Sequence, residues 1–206
     1  MGESLEKTAS SRAIAEVHDW WAQLVKPTEA GQPSHRGELA ELRRCKDLAE
    51  VLFAPAYHRL SYRVRPLGWN DSISLAAVAG LLAHVKGDPG SQQASSPTPV
   101  PEEQPATQDI QSKPIKTIAG LCGTPVQPGL GPRVSELRFQ RLVKIQELHA
   151  LYPNLLRVIH LAGERVPVRD LIASVRYWNP RRRSEWTSRY YEALLSREHT
   201  HSAQGA

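Results

Sequence analysis

Apolar residues recur at three- and four-residue steps along two stretches of the chain, roughly 8–86 and 133–195. Nowhere do they alternate with polar ones for long enough to build a sheet, so the pattern is helical throughout. In the first stretch, Ile14, Val17, Trp21 and Leu24 share one face of a helix over 11–26. Ser34 is placed to cap a helix carrying Leu39, Leu42 and Cys45. Asp47 with Glu50 has capping-box spacing for a short helix ending at Phe53. Pro55 suits the first turn of the next helix, which carries Tyr57, Leu60 and Val64. Asp71 caps the most apolar segment, SISLAAVAGLLAHVK, which Gly87 is expected to stop. Because that helix is apolar nearly all round, it has to be buried.

The second stretch opens with VSELRFQRLVKI and continues through a helix carrying Leu155, Val158, Ile159 and Ala162. Pro153 predicts a kink or a break there, since proline removes a helical donor and clashes with the preceding turn. VRDLIASVRYW and PRRRSEWTSRYYEALL form the last two helices, with Asn179 as cap and Pro180 in the first turn. No internal repeat is evident between the two stretches. Trp20, Trp21 and Trp69 read as core or interface anchors. Trp178, Trp186, Tyr190 and Tyr191 have the chemistry to stack on bases. Trp186 and Tyr190, however, fall on the apolar face with Ala193, which favours core packing.

Composition changes this picture at one place. Residues 87–132 hold nine of the sixteen prolines and six of the thirteen glycines. Such a stretch buries too little apolar surface to offset its ordering entropy, so most of it is expected to be a mobile linker. A short patch within it, from Ile115 to Cys122, has the side chains to dock. The expected fold class is therefore all-α, as two helical bundles joined by a long Pro/Gly-rich linker. The boundaries are an N-terminal bundle over 1–86, the linker over 87–132, and a basic C-terminal bundle with a short polar tail over 133–206.

Charge separates the two bundles. The chain carries a formal net charge of +5. Residues 133–192 contain twelve Lys/Arg against six Asp/Glu, whereas the first 86 residues contain eleven against ten. The electropositive half is thus the C-terminal one, which suits a polyanionic partner. Arg181, Arg182 and Arg183 crowd the first turn of the last helix, where cations oppose the helix dipole. Either phosphates offset them, or Glu185 pairs with Arg181 or Arg182 at helical spacing. Arg138, Arg141 and Lys144 follow at three-residue steps as a slanting basic stripe, with Arg133 near its start. Arg43 and Arg44 lie in a last turn, where the dipole favours them. Arg59 and Arg63 share a face with His58 and Tyr62.

Several chemistries find no support. The eight histidines fall into no metal-ligand spacing, and Cys45 and Cys122 form no CxxC pair. There is no phosphate-cradling glycine loop and no nucleophile elbow. Cys122 sits in GLCGTP without a local base. The expectation is of no cofactor, no metal and no catalysis. No apolar run approaches the roughly 20 residues that a membrane span needs. The N-terminal MGESLEKTAS lacks the apolar core of a signal peptide, so a cytoplasmic protein is expected.

Taken in order, ELRRC, PAYHRL, PLGWND, AGLLAHV, SELRFQRLV and VRDLIASVRYWN resemble landmarks of one family. The chain is similar to the small subunit of the type I-E CRISPR surveillance complex Cascade, the CasB family, over roughly 12–86 and 133–194. The resemblance implies an all-helical, non-catalytic subunit present in two copies stacked head to tail. Its implied partners are the backbone subunits that hold the guide RNA, the large subunit, and the displaced DNA strand of the R-loop. The basic positions it implies are Arg43 and Arg44, then Arg138 and Arg141, with Arg182 and Arg183 matching a basic stretch less closely. Arg59 and Lys144 join them from spacing alone. Base pairing supplies specificity in RNA-guided recognition, so backbone contacts suffice for such a subunit. Two readings compete with it. A helix-turn-helix regulator would use residues 167–194 to bind one duplex sequence. A purely structural adaptor would have no affinity for nucleic acid.

Overall fold

The structure is a computed structural model in which residues 2–26, 35–89, 116–125, 127 and 130–202 are described. The described residues form helices and connecting turns, and the pairings outside them are two isolated bridges, Gly87 with Arg165 and Pro125 with Pro132. The order is α1 (Gly2–Val25), α2 (Arg36–Arg44), α3 (Leu48–Phe53), α4 (Pro55–Val64), a 3-10 turn (Arg65–Leu67) and α5 (Ser72–Ala83). Then come α6 (Ile118–Gly123), α7 (Glu136–Lys144), α8 (Leu148–Leu161), α9 (Val168–Arg176) and α10 (Pro180–Ser202). The all-α class read from the periodicity is what the molecule adopts.

Local sequence signals set most helix starts. Asp47 accepts the Glu50 N–H at 2.9 Å, while Glu50 reaches back to the Lys46 N–H at 2.7 Å, so the capping box forms one residue wider than the minimal pattern. Asp71 accepts from the amides of Ile73 and Ser74, and Asn179 from that of Arg182. Each such cap contributes about 1 kcal/mol. Pro55 and Pro180 stand at first helical positions, as expected. The Ser34 cap lies outside the described residues, and α2 begins behind His35 without a side-chain cap. α5 ends at Ala83, before Gly87, with His84 as its C-cap.

Two expectations about local structure change. α8 runs unbroken through Pro153, because burial of Leu151, Tyr152, Leu155, Val158 and Ile159 along one face holds the helix across the missing donor. A repeated unit also links the two stretches. α2 (Arg36–Arg44) and α7 (Glu136–Lys144) are both nine residues long and end in extended caps, Cys45 (φ −63°, ψ 123°) and Ile145 (φ −68°, ψ 129°). The cap amides bond to the carbonyls of Leu42 and Leu142, at 3.3 and 3.1 Å. The next helices start at Leu48 and Leu148 behind acidic caps, Asp47 and Glu147, and bury Val51 and Leu151. The two units match position for position, with little identity between side chains.

The two helical stretches share one hydrophobic core instead of forming a core each. The reason is α5, whose residues from Ser74 to Ala83 are all buried. A helix with no polar face needs cover on every side, and α2, α3, α4, α8 and α9 all pack on it. α1 reaches across to α9 as well. Where Tyr152 of α8 crosses α5, its ring lies against Gly80, at which any side chain would meet the phenol.

The patch expected to dock does so. Residues 116–125, assigned by composition to the linker, contribute α6, whose Ile118, Ala119, Leu121 and Cys122 are buried, and which packs on α10. Thr117 caps α6 through the Gly120 amide, and Asp170 of α9 accepts the Ile118 N–H at 2.8 Å. Of the rest of the proposed linker, residues 90–115, 126, 128 and 129 lie outside the described residues.

Candidate nucleic-acid interface

The C-terminal basic surface is built on an aromatic stack. Phe139 of α7 is fully buried, with its ring stacked 4.0 Å from that of Tyr190 and parallel to Trp186. The Tyr190 hydroxyl donates to the Val134 carbonyl at 2.8 Å, and Trp186 donates to Ser174 at 2.9 Å. Trp178 donates to the carbonyl of Ile145, which closes the end of α7. These rings lock α7 onto α10, so Trp178, Trp186 and Tyr190 are structural anchors and not free stacking platforms. Tyr191 is partly buried, and its hydroxyl pairs with Glu136.

With Phe139 and Leu142 turned inward, the other side of α7 faces solvent. Arg138, Arg141 and Lys144 are all exposed there, and none forms an ion pair or side-chain hydrogen bond with another described residue. Three-residue steps put them along about 9 Å of helix axis. Arg44 is likewise exposed and unpaired among the described residues. Leu137, 59% exposed, adds an apolar element to the α7 surface.

Most of the other basic positions singled out have internal partners. Arg43 donates to the Ala83 carbonyl at 2.7 Å, so it ties α2 to the end of α5. Arg59 pairs with Glu38 at 2.9 Å. Arg63 pairs with Glu16 at 2.6 Å and also reaches Gln23. Arg181 and Arg182 both engage Glu185, at 3.2 and 3.3 Å, which offsets the cations at the start of α10 without an outside anion. The Nε of Arg183 is buried without a hydrogen-bond partner. Arg176 lies over the Trp69 ring at 4.4 Å and reaches the carbonyls of Ser10 and Gly68; burial pulls its pKa down. Glu185 was legible from helical spacing, but the partners of Arg43, Arg59, Arg63 and Arg176 are distant in sequence, which is why spacing alone did not separate those arginines from unpaired ones.

The remaining chemistry is quiet. Burial pushes the Cys122 thiol up to about 12, which leaves it protonated and unreactive at neutral pH. Among the described residues no group of three or more His, Cys, Asp or Glu is arranged to hold a metal, and no helix is long and apolar enough to cross a membrane. Two histidines occupy joints. His18 of α1 lies 3.7 Å from Asp88, and that contact raises its pKa against the opposing effect of burial. His84 sits at the end of α5 against His160, 5.5 Å between ring centroids, with its Nε2 buried and unpartnered. Burial, His160 and Arg43 together hold its pKa below the usual value. A cavity of about 510 Å³ between α1, α2 and α4 is floored by Trp20 and Leu24 and rimmed by the Arg59–Glu38 pair.

The architecture is similar to that of a solved chain from "E. coli Cascade bound to a PAM-containing dsDNA target". The TM-score is 0.54 and the identity 15%, covering 87% of this chain and 96% of that one. The likeness establishes an all-helical fold of that class. Residues 38–191 match the family model described as CRISPR-associated protein Cse2, and the chain belongs to that family. This is the small-subunit family of type I-E Cascade that the sequence landmarks resemble. Among curated proteins no sequence matches.

Proposed function

We propose that this chain is the non-catalytic small subunit of a type I-E Cascade, and that it stabilises the R-loop by holding the displaced DNA strand through sequence-independent backbone contacts. The observation that carries the reading is the α7 stripe, in which Arg138, Arg141 and Lys144 are exposed and unpaired among the described residues on a helix that its buried aromatics fix in place. Unpaired guanidinium groups on a rigid helix suit phosphate oxygens, and a subunit that leaves base reading to a guide RNA needs no more. Arg44 joins them as a contact, whereas Arg43 and Arg59 serve chiefly to hold helices together and Arg182 pairs with Glu185 within α10. Two stacked copies extend the groove, and the same subunit bridges the backbone subunits around the guide RNA and the large subunit. Family membership and the likeness to a chain of a DNA-bound Cascade support this reading.

If about five phosphates are neutralised across two copies, log affinity for single-stranded DNA falls with log salt at a slope near −3.5. The first experiment is co-purification of the tagged chain from cells expressing the neighbouring genes, with RNA extracted from the eluate. A guide-sized RNA of uniform length with several co-eluting subunits is the expected result. A lone protein that selects one duplex sequence would replace this reading with the helix-turn-helix regulator. A salt-independent affinity, or none, would leave only a structural adaptor.

A further inference from the structure

The repeated unit makes a position-by-position comparison possible, and charge is where its two copies diverge. At the sites where α7 carries Arg138 and Arg141, α2 carries Glu38 and Glu41. The surroundings diverge with them. Glu38 is closed internally, 2.9 Å from Arg59 and 3.8 Å from His35, with only 23% of its side chain exposed. Arg138 and Arg141 are exposed, and no described residue neutralises them. Backbone geometry therefore offers two equivalent nine-residue helices, each with a buried leucine and the same exit, while only α7 presents open cations at the two compared sites. Helix propensity does not explain the difference, because Arg and Glu are similarly good helix formers. Neither does the core, since none of the four side chains is buried in it.

We propose that positions 38 and 41 against 138 and 141 are the residues that decide which of the two repeated units takes the polyanion. The second unit binds phosphate because its two sites are cationic and open. The first offers the strand no more than Arg44, because the same sites are carboxylates, one of them tied to Arg59 of α4. The backbone of the unit is neutral in this choice, so the strand's path over the protein is set by four side chains. The inference rests on the nucleic-acid reading above.

The test is a charge transplant in the full-length chain, read by anisotropy of a labelled, mixed-sequence single-stranded DNA over a salt series. R138E/R141E should reduce the salt slope by about 1.4, the share of two phosphate contacts on a single strand. Adding E38R/E41R to that variant should return most of the lost slope and affinity. Because E38R breaks the Arg59 pair, a second transplant, G37K/E41K, leaves that pair intact. A side chain at Gly37 would meet nothing within 4 Å, so the lysine fits. Recovery by either transplant, with an unchanged circular-dichroism spectrum, is the result expected. If R138E/R141E loses binding and neither transplant restores any of it, the charge rule is wrong while the α7 interface stands. If R138E/R141E binds as the parent does, the α7 interface fails and the inference with it.

Discussion

Substituting Gly123 by alanine tests whether the docked helix inside the proline-rich region is a structural member of the core. Gly123 ends α6 where it crosses α10. A Cβ added there would lie 2.5 Å from the Tyr190 carbonyl oxygen and 3.0 Å from the Ala193 Cβ. Ordinary contact begins near 3.4 Å, so the helices would have to separate by about 0.9 Å. Neither neighbour is the mobile end of a long side chain, and the first is backbone inside a helix. Two effects then compete. Alanine gains up to about 1 kcal/mol in helix propensity, but less at a helix end. Overpacking costs about 1–3 kcal/mol, and here the contact is at the severe end. The clash wins. At roughly 2–4 °C per kcal/mol for a chain of this size, Tm should fall by about 2–10 °C. Gly37→Ala is the control, since it meets nothing and should hold or raise Tm slightly. Thermal unfolding by circular dichroism of the three proteins decides it. A Gly123→Ala protein as stable as its parent would show that α6 is not pressed against α10.

Other outcomes follow from the same contacts. Replacing both Arg138 and Arg141 by alanine should weaken single-stranded DNA binding while leaving stability within about 0.5 kcal/mol, as expected of exposed, unpaired positions; a large drop in Tm would mark them as structural. Phe139→Ala should cost about 3–5 kcal/mol in a denaturant titration, because the ring is fully buried in the stack with Tyr190. Burial raises the pKa of Asp170, more than the hydrogen bond from the Ile118 amide lowers it, so the carboxylate is held at a cost near neutral pH. Asp170→Asn should therefore be tolerated or mildly stabilising at pH 7, whereas Asp170→Ala should loosen α6; amide exchange in 117–123 reads the difference. The two histidines act with opposite sign. His18 is raised, so its contact with Asp88 contributes stability below pH 6.5 that is lost as pH rises through its folded pKa. His84 is lowered, so stability present above pH 6.5 is lost as pH falls toward its folded pKa. His18→Gln should flatten the first dependence and His84→Gln the second in Tm measured across pH 5–8; identical profiles for parent and both variants would refute the assignment.

The sequence alone determined the helical class, most helix starts and the location of the basic helix. Those features rest on short-range physics, in which Asp47, Asp71 and Asn179 cap within three residues and the α7 face repeats within one helix. It also marked α5 for burial, because no arrangement of that segment exposes a polar face. Only the tertiary structure decided what covers α5, and so merged two expected bundles around one core. The same holds for the arginines. Glu16 and Glu38 lie far from Arg63 and Arg59 in sequence, and nothing in local spacing says that they close those charges while Arg138 and Arg141 stay open. The repeated unit was present in the sequence as leucines at 42, 48, 142 and 148, but chain geometry was repeated there with little further side-chain identity. Composition placed 116–125 within the linker, while the apolar patch from Ile115 to Cys122 already marked a segment able to dock; which helix receives it, α10, was decided only by the folded chain. Periodicity reports what a segment offers to a neighbour, and only the folded chain says which neighbour accepts it.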